Sequence, residues 1–303
     1  MIGGLVEVGE AGRYLSVYRG FLKVSDENQE IGRVPLEDIT ALILAGPQIT
    51  LSKALMVELA ERRAVIVTCG SNWHPLSYTL PFGNHYETAG VLQDQISASE
   101  PLRKRLWQLI VQAKVENQRL ILERHAPESA ALNELSIIYK QIKSGDPDNR
   151  EAQAARQYWP ALMGSDFRRQ RQGDGANPYL NYGYTVLRAA TARAACGAGL
   201  HPSLGLHHKG RVNAFALIDD LMEPFRPMVD SVVRTLPWDS PESVAPEEKR
   251  QLAAVLQEDM MTETGLSPVI NCLGKLAQSL AASLRTKKLA LEIASVRSMA
   301  QLI

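Results

Sequence analysis

Cysteine is scarce in this chain. The 303 residues contain only Cys69, Cys196 and Cys272, which lie far apart and form no CxxC pair. An odd number of isolated cysteines argues against both a disulfide framework and a thiolate metal site. We therefore expect three small, buried, apolar residues.

Long apolar runs are also missing. The opening MIGGLVEVGEAG lacks the basic start and unbroken apolar stretch of a signal peptide, and no window gives about 18 apolar residues without a charge or a breaker. There is no internal repeat and no low-complexity tract. These absences predict a soluble cytoplasmic protein that does not contact a membrane.

The chain has no excess of either charge, because 33 basic residues balance 33 acidic ones. A neutral total argues weakly against nucleic-acid binding, since neutralising phosphates usually requires a basic chain. The distribution weakens that objection, because acids dominate the first ninety residues and basic clusters follow at 103–105 and 168–171. A neutral total can hide a basic face.

The pattern of apolar residues predicts an α+β fold. Short alternating or buried runs with one helix starting at Ser52 predict a small N-terminal β-sandwich over 1–80, followed by a Pro- and Gly-rich linker over 81–100 and a helical domain over 101–303. Helices are expected at 101–125, 131–143, 151–164, 180–198, 213–236, 247–260 and 268 to the end. In the first of these, the expected buried face is Leu102, Leu106, Leu109, Ile110 and Ala113.

A concentrated acidic patch occurs in DDLMEPFRPMVD at 219–230. Asp219, Asp220, Glu223 and Asp230 gather on one flank of a predicted helix, with Arg226 as their nearby cation. Like charges at this spacing repel and destabilise a helix. Pro224 removes an amide in the middle of the patch, so we expect the helix to kink there. Broken local rules of this kind tend to mark functional sites.

Three places hold possible metal ligands: Asp220 with Glu223, the loop pair His207 and His208, and Glu151 at a helix start. Carboxylates with one imidazole suit Mg²⁺ or Mn²⁺. Each also has a structural interpretation. Asp148-x-x-Glu151 has the form of a capping box, a loop histidine is commonly a surface residue, and an acidic flank such as Asp219 is commonly a solvated face.

At these positions the sequence resembles the family of CRISPR-associated integrases of spacer acquisition, the first-numbered of the Cas proteins. The run NPYLNYGYTVLRAATARAACGAGLHPSLGLHHKGRVNAFALIDDLMEPFRPMVD at 177–230 is similar to the family's signature block. EAQAARQYW at 151–159 is similar to its second block, and LWQLIVQAKVENQ at 106–118 to the type II branch. The resemblance covers essentially the whole chain.

The resemblance implies a set of site residues. Glu151, His208 and Glu223 correspond to the metal ligands, and Asp220 to a supporting acid in the same catalytic group. It also implies an N-terminal β-sandwich that forms a homodimer, a small second Cas protein that bridges two such dimers, and double-stranded DNA as substrate. The type II effector nuclease is a further candidate partner. The implied reaction is attack of a DNA 3′-hydroxyl on a repeat phosphodiester, with nuclease activity as the same chemistry using water.

Basic and aromatic residues near this set are candidate DNA contacts: Arg156, Arg168, Arg169, Lys209 and Tyr184. Tyr182 and Tyr184 could equally be core tyrosines with bonded hydroxyls. Two other functions stay open at this point. One is a non-catalytic DNA-binding scaffold of the same architecture, and the other is a helical metal hydrolase with an enclosed apolar pocket.

Overall fold

The structure of the chain is a computed structural model that describes residues 4–70, 75–81, 86–208, 210, 212–238 and 244–298. Within these ranges the strands are β1 Leu5–Val8, β2 Tyr14–Tyr18, β3 Phe21–Asp26, β4 Gln29–Pro35, β5 Ala41–Leu44, β6 Thr50–Leu51, β7 Val65–Cys69, β8 Pro75–Thr79, β9 Asp259–Thr262 and β10 Gly265–Pro268. The helices are α1 Lys53–Glu61, α2 Thr88–Ser97, α3 Glu100–His125, α4 Ala131–Gln141, α5 Arg150–Met163, α6 Asn177–Gly197, α7 Ala216–Met222, α8 Arg226–Thr235, α9 Pro246–Ala254 and α10 Val269–Thr286. The mixed α+β architecture predicted from the sequence is confirmed.

Two four-stranded sheets form the N-terminal part. The first has the order β1-β5-β7-β8, with β8 antiparallel to an otherwise parallel set. The second has the order β4-β3-β2-β6 and is antiparallel except where β6 joins β2. Side chains from both sheets and from α1 share one small core, which includes Leu15, Leu22, Leu42 and Leu55. The two sheets therefore pack as a sandwich.

The first sheet is covered on both faces. Along β5, Leu42 belongs to the small core, whereas Ala41 and Ile43 belong to the larger core of the helices. Residues of β7 alternate in the same way, with Ile66 on one side and Val65 on the other. Strands buried on both faces are apolar throughout, which explains the unbroken runs in the sequence.

A half-buried polar cluster joins this sheet to the helices. Glu7 of β1 accepts a hydrogen bond from the Tyr182 hydroxyl at 2.7 Å and pairs with Lys249 at 2.6 Å.

Helix α2 lies within the stretch 81–100, for which the sequence predicts a linker. The domain boundaries themselves stay a prediction.

Helix α3 runs through the centre of the helical part. Ser99 caps it, with Pro101 in its first turn, and its buried residues include Leu106, Trp107 and Ile110. The predicted face is partly wrong, because Leu109 and Ala113 are only half-buried. Leu102, Leu106 and Ile110 are buried as predicted, and the rest of the buried face is formed by Trp107, Val111 and Val115.

The predicted kink at Pro224 is confirmed. Helix α7 ends at Met222, a 3₁₀ turn spans Glu223–Phe225, and α8 starts at Arg226. Buried Asn117 of α3 donates its side-chain amide to the Pro224 carbonyl at 2.7 Å. The same side chain contacts the C-terminal segment, accepting from Val296 N at 2.9 Å.

Two predictions about the C-terminal third are wrong. The helix predicted over 247–260 stops at Ala254, and a β9–β10 hairpin follows after a 3₁₀ turn. The last helix ends at Thr286 instead of continuing, because Lys287 takes a left-handed backbone conformation with φ 58°. Beyond it Ser295 pairs with Met261 of the hairpin, so this segment is extended.

Candidate active site

Helix α5 places Glu151 in its first turn. Asp146 accepts hydrogen bonds from the backbone amides of Arg150 at 2.8 Å and Glu151 at 3.0 Å, and Asn149 accepts from Ala152. These two side chains serve the amides that a helix start leaves unpaired. The capping box beginning at Asp148 is therefore wrong, and the Glu151 carboxylate is directed elsewhere.

The break between α7 and α8 places Glu223 beside Glu151. The Glu223 side chain is only 5% exposed; its Oε1 lies 3.0 Å from Arg226 Nε, and its Oε2 lies 2.5 Å from the Lys114 ammonium. The same ammonium lies 2.5 Å from Oε1 of Glu151. Two carboxylates from different elements thus converge on one cationic nitrogen.

The charges of this cluster stabilise one another. Burial lowers the pKa of the Lys114 amine, but the carboxylates of Glu223 and Glu151 outweigh burial and raise that pKa above its ordinary value. Burial likewise raises the pKa of Glu223, but Arg226 and Lys114 outweigh it and lower the net pKa. Both directions favour the charged forms.

Asp220 organises the loop that carries His208. Its fully buried carboxylate accepts from the backbone amides of Leu206 at 2.6 Å, His207 at 3.0 Å and His208 at 3.4 Å. The same carboxylate lies 2.5 Å from His208 Nδ1. This hydrogen bond raises the pKa of His208 against the opposing effect of burial.

Glycine is required at 205 for this loop to close. A Cβ on Gly205 would lie 2.5 Å from the His208 carbonyl oxygen and 2.9 Å from an Asp220 carboxylate oxygen. On the other side, the His207 ring stacks on the buried indole of Trp107, with centroids 4.6 Å apart and planes 6° apart. His207 is thereby held against α3, while His208 borders the acidic cluster.

The donor set fits a hard divalent cation in its chemistry. The Lys114 ammonium stands in for a cation, since carboxylate oxygens of Glu151 and Glu223 approach it from two sides. Asp220 occupies His208 Nδ1, so Nε2 is the ring nitrogen left for a ligand. Within the described ranges no three His, Cys, Asp or Glu side chains already form a metal cluster, which agrees with an ammonium between the two carboxylates.

The remaining acids of the patch have partners of their own. Asp219 pairs with Arg188 at 2.8 Å. Asp230 accepts hydrogen bonds from the hydroxyls of Tyr158, at 3.1 Å, and Tyr184. Burial raises the pKa of Asp230 to about 7, although both tyrosine hydrogen bonds act in the opposite direction. The acids therefore avoid mutual repulsion because each faces a different donor or cation.

A basic cavity opens onto these residues. It has a volume of about 420 Å³, is bordered by His208 and Glu223, and is lined by Arg169, Arg171, Arg188 and Arg226. His208 also borders a second cavity of about 400 Å³, which is lined by Arg103, Gln95 and Ser203. The site thus lies between two recesses, and the larger one carries a surplus of guanidinium groups suited to phosphate.

The sequence-predicted DNA contacts are not all at this cavity. Arg156 is exposed on α5, and Arg168 bonds to nearby backbone carbonyls; neither belongs to the residues that line the cavity. Arg169 lines it but is tied to Asn177 and Asn181 by its guanidinium. Lys209 lies outside the described residues.

Tyr184 belongs to the core. It is 8% exposed and its hydroxyl donates to Asp230, while the guanidiniums of Arg226 and Arg169 lie 4.7 Å and 5.4 Å from its ring centre. This geometry favours the core interpretation over stacking on a base. The Tyr182 hydroxyl is likewise bonded, to Glu7.

Sequence reasoning assigned no role to Lys114 or Arg188 and did not pair Asp230 with its two tyrosines. One signal could have indicated Lys114: it falls four residues after Ile110, on the apolar stripe of α3. A charge on such a stripe requires a buried partner.

Known proteins are similar to this chain along most of its length. The family model of CRISPR associated protein Cas1 matches residues 6–240. The CRISPR-associated endonuclease Cas1 of Neisseria meningitidis serogroup C (strain 8013) is 39% identical over 222 residues, 73% of this chain and 72% of that protein.

Two solved structures share the fold. A casposase bound to its integration product matches with a TM-score of 0.77 at 21% identity, covering 95% of this chain and 92% of the other. A chain of a Cas6-RT-Cas1–Cas2 complex matches with a TM-score of 0.75 at 18% identity, covering 96% of this chain and 36% of the other. Among the described helices, none is long and apolar enough to cross a membrane.

Proposed function

This chain belongs to the Cas1 family of CRISPR-associated proteins, and on that premise we propose that it is a metal-dependent DNA integrase and endonuclease. Its substrate is a short DNA fragment that it inserts into a CRISPR array. The observation that carries the proposal is the convergence of Glu151 and Glu223 on one cation, beside His208 and an arginine-lined cavity.

Glu151, Glu223 and the imidazole of His208 are the ligands for Mg²⁺ or Mn²⁺. Two carboxylates and one neutral imidazole match the ligand preference of these ions. When bound, the ion polarises the phosphodiester and favours the deprotonated form of the attacking hydroxyl. Asp220 acts as a positioning residue, because its hydrogen bonds fix both the His208 loop and the ring nitrogen that remains available.

The arginine-lined cavity holds the phosphodiester that is attacked. The 3′-hydroxyl of the fragment gives its proton to solvent as its oxygen forms a new bond to phosphorus. The bond to the leaving oxygen of the target strand breaks, and that oxygen takes up a proton from solvent. Arg171 and Arg226 offer guanidinium groups to the non-bridging oxygens, where negative charge accumulates during the transfer. The second recess at His208, with Arg103, gives room for a second DNA segment on the other side of the site.

Assembly with other proteins belongs to this proposal. The Cas6-RT-Cas1–Cas2 complex contains a chain of the same fold together with Cas2, which supports a small second Cas protein as partner here. Exposed apolar side chains on the second sheet support a homodimer through the sandwich: Tyr14 is 46% exposed, Tyr18 43% and Ile31 54%. Binding of the type II effector nuclease stays a prediction.

Strand transfer tests the proposed function. The purified protein and its small partner are incubated with a labelled short duplex, a repeat-bearing plasmid and Mn²⁺ or Mg²⁺. We expect label in the plasmid with the wild type, and a loss of at least about 100-fold in Glu223→Gln and His208→Ala.

Glu123→Gln is the matched control, since this glutamate lies on α3 and pairs with Arg119 at the surface. This variant should transfer the labelled duplex into the plasmid as efficiently as the wild type does. Absence of transfer by the wild type while DNA binding persists would favour the non-catalytic scaffold.

A further inference from the structure

Lys114 falls within the run 106–118 and receives no role from the sequence, yet it lies at the centre of the site. It is placed on α3 between the buried residues Val111 and Val115, and its side chain is 12% exposed. Its ammonium lies 2.5 Å from Glu151 Oε1 and 2.5 Å from Glu223 Oε2.

The lysine and the two glutamates depend on each other. A buried ammonium is costly without carboxylate partners, and two neighbouring buried carboxylates are costly without a cation. Arg226 Nε lies 3.0 Å from the other oxygen of Glu223, Oε1. Glu223 Oε2 is buried without a well-directed hydrogen bond and has the ammonium as its ion-pair partner.

We propose that Lys114 is an internal competitor of the divalent ion. The ammonium and the ion use the same two carboxylate oxygens, so the ion binds by displacing the ammonium. This inference rests on the proposed function, because it takes Glu151 and Glu223 as ligands of the ion. It adds that the chain itself keeps metal affinity low while DNA is absent.

The charges around the site explain what the lysine contributes afterwards. The carboxylates of Glu151 and Glu223 face the cations Lys114 and Arg226, and the third carboxylate, of Asp220, lies against His208. With a neutral His208 the net charge of these five groups is one negative unit. Binding a divalent ion changes the net charge to one positive unit. Without Lys114 the metal-loaded site would be neutral. The displaced ammonium therefore provides the charge that attracts one DNA phosphate.

The experiment is an Mn²⁺ titration of the full chain without DNA, following the free-ion signal by electron paramagnetic resonance. We expect Lys114→Met to bind Mn²⁺ at least about tenfold more tightly than the wild type, because a unit positive charge close to the ion is removed. A lysine that only supported the fold would give the opposite change, since its loss would loosen the site.

Two variants control for charge and position. Lys104→Met removes a lysine of the same helix that pairs with Glu100 at the surface, and its Mn²⁺ affinity should equal that of the wild type. Lys114→Arg keeps a positive charge beside the two carboxylates and should not bind Mn²⁺ more tightly than the wild type. Thermal unfolding checks the fold of each variant, and Lys114→Gln replaces Lys114→Met in the same titration if the methionine variant does not fold.

Adding Glu223→Gln to both backgrounds separates the two proposals. Binding that is lost with Glu223→Gln, but is no tighter in Lys114→Met than in the wild type, overturns the competitor and leaves the metal site standing. An Mn²⁺ affinity that Glu223→Gln changes in neither background overturns both the metal site and the competitor. Tighter binding in Lys114→Met that Glu223→Gln abolishes supports both.

Discussion

The imidazole of His208 and the carboxylate of Asp220 form a pair in which Nδ1 lies 2.5 Å from a carboxylate oxygen. Asp220 is fully buried and also accepts backbone amides of the histidine loop. One acid therefore sets the loop conformation and the ring orientation together, as supporting carboxylates of ligand histidines do.

Replacing Asp220 should release this histidine. In Asp220→Asn we expect the pKa of His208 to fall from its raised value toward the ordinary 6.5 or so, and strand transfer to fall about 10- to 100-fold. The measurement is an NMR titration of the histidine ring, assigned with His208→Gln. His125, which lies at the C-terminal end of α3 and bonds to Ser231, is the internal control. An unchanged His208 pKa would contradict the assigned hydrogen bond.

Adding one methyl group at Gly205 should damage the site without replacing any proposed ligand. The new Cβ would approach the His208 carbonyl and the Asp220 carboxylate too closely. We expect Gly205→Ala to reduce strand transfer at least about tenfold, because displacements near 1 Å suffice for such losses. Gly210→Ala is the matched control, since its Cβ would meet nothing closer than Asn213 at 3.9 Å. Equal activities of the two variants would refute this account of the loop.

Asp230 should make stability depend on pH. The folded protein keeps its proton up to a pKa of about 7, whereas an unfolded chain releases it near 4. Folded molecules bind more protons between these values, so stability falls as pH rises from about 4 to about 7, by at most about 4 kcal/mol. Asp230→Asn should lack this component. The measurement is the free energy of unfolding in urea at pH 5 and pH 8; the same difference in both proteins would contradict the prediction.

Arg171 should contact DNA where Arg156 does not. Arg171 lines the basic cavity and forms no ion pair with any described residue, whereas Arg156 lies on the exposed side of α5. We expect Arg171→Ala to weaken duplex binding about 3- to 10-fold and to reduce the slope of log affinity against log salt by about 0.9, the loss of one phosphate contact. Arg156→Ala should change neither. A fluorescence anisotropy titration at several salt concentrations measures both.

The parts of the site that sequence reasoning could predict are those with a local cause. Pro224 removes an amide and must interrupt its helix, and the interruption appears at Glu223–Phe225. The family motif indicated Glu151, Asp220 and Glu223 as a group, and the structure brings Glu151 and Glu223 onto one cation.

What sequence reasoning missed depends on packing between distant elements. Lys114 acquires its partners only because α3 passes between the start of α5 and the 3₁₀ turn. The predicted capping box was wrong because the carboxylate of Asp146, five residues before Glu151, accepts the hydrogen bonds of the first helix amides. The helix predicted over 247–260 was extended too far, into the first residues of β9, because short apolar runs do not distinguish helix from strand.

Asn117 gives the C-terminal segment a mechanical role in the site. Its amide joins the Pro224 carbonyl, next to Glu223, to Ala294 and Val296. The segment thus supports the turn that carries Glu223, although Val296 and Asn117 are 179 residues apart in sequence. A fusion partner or a protease cut at 288–298 would consequently be expected to disturb the position of Glu223.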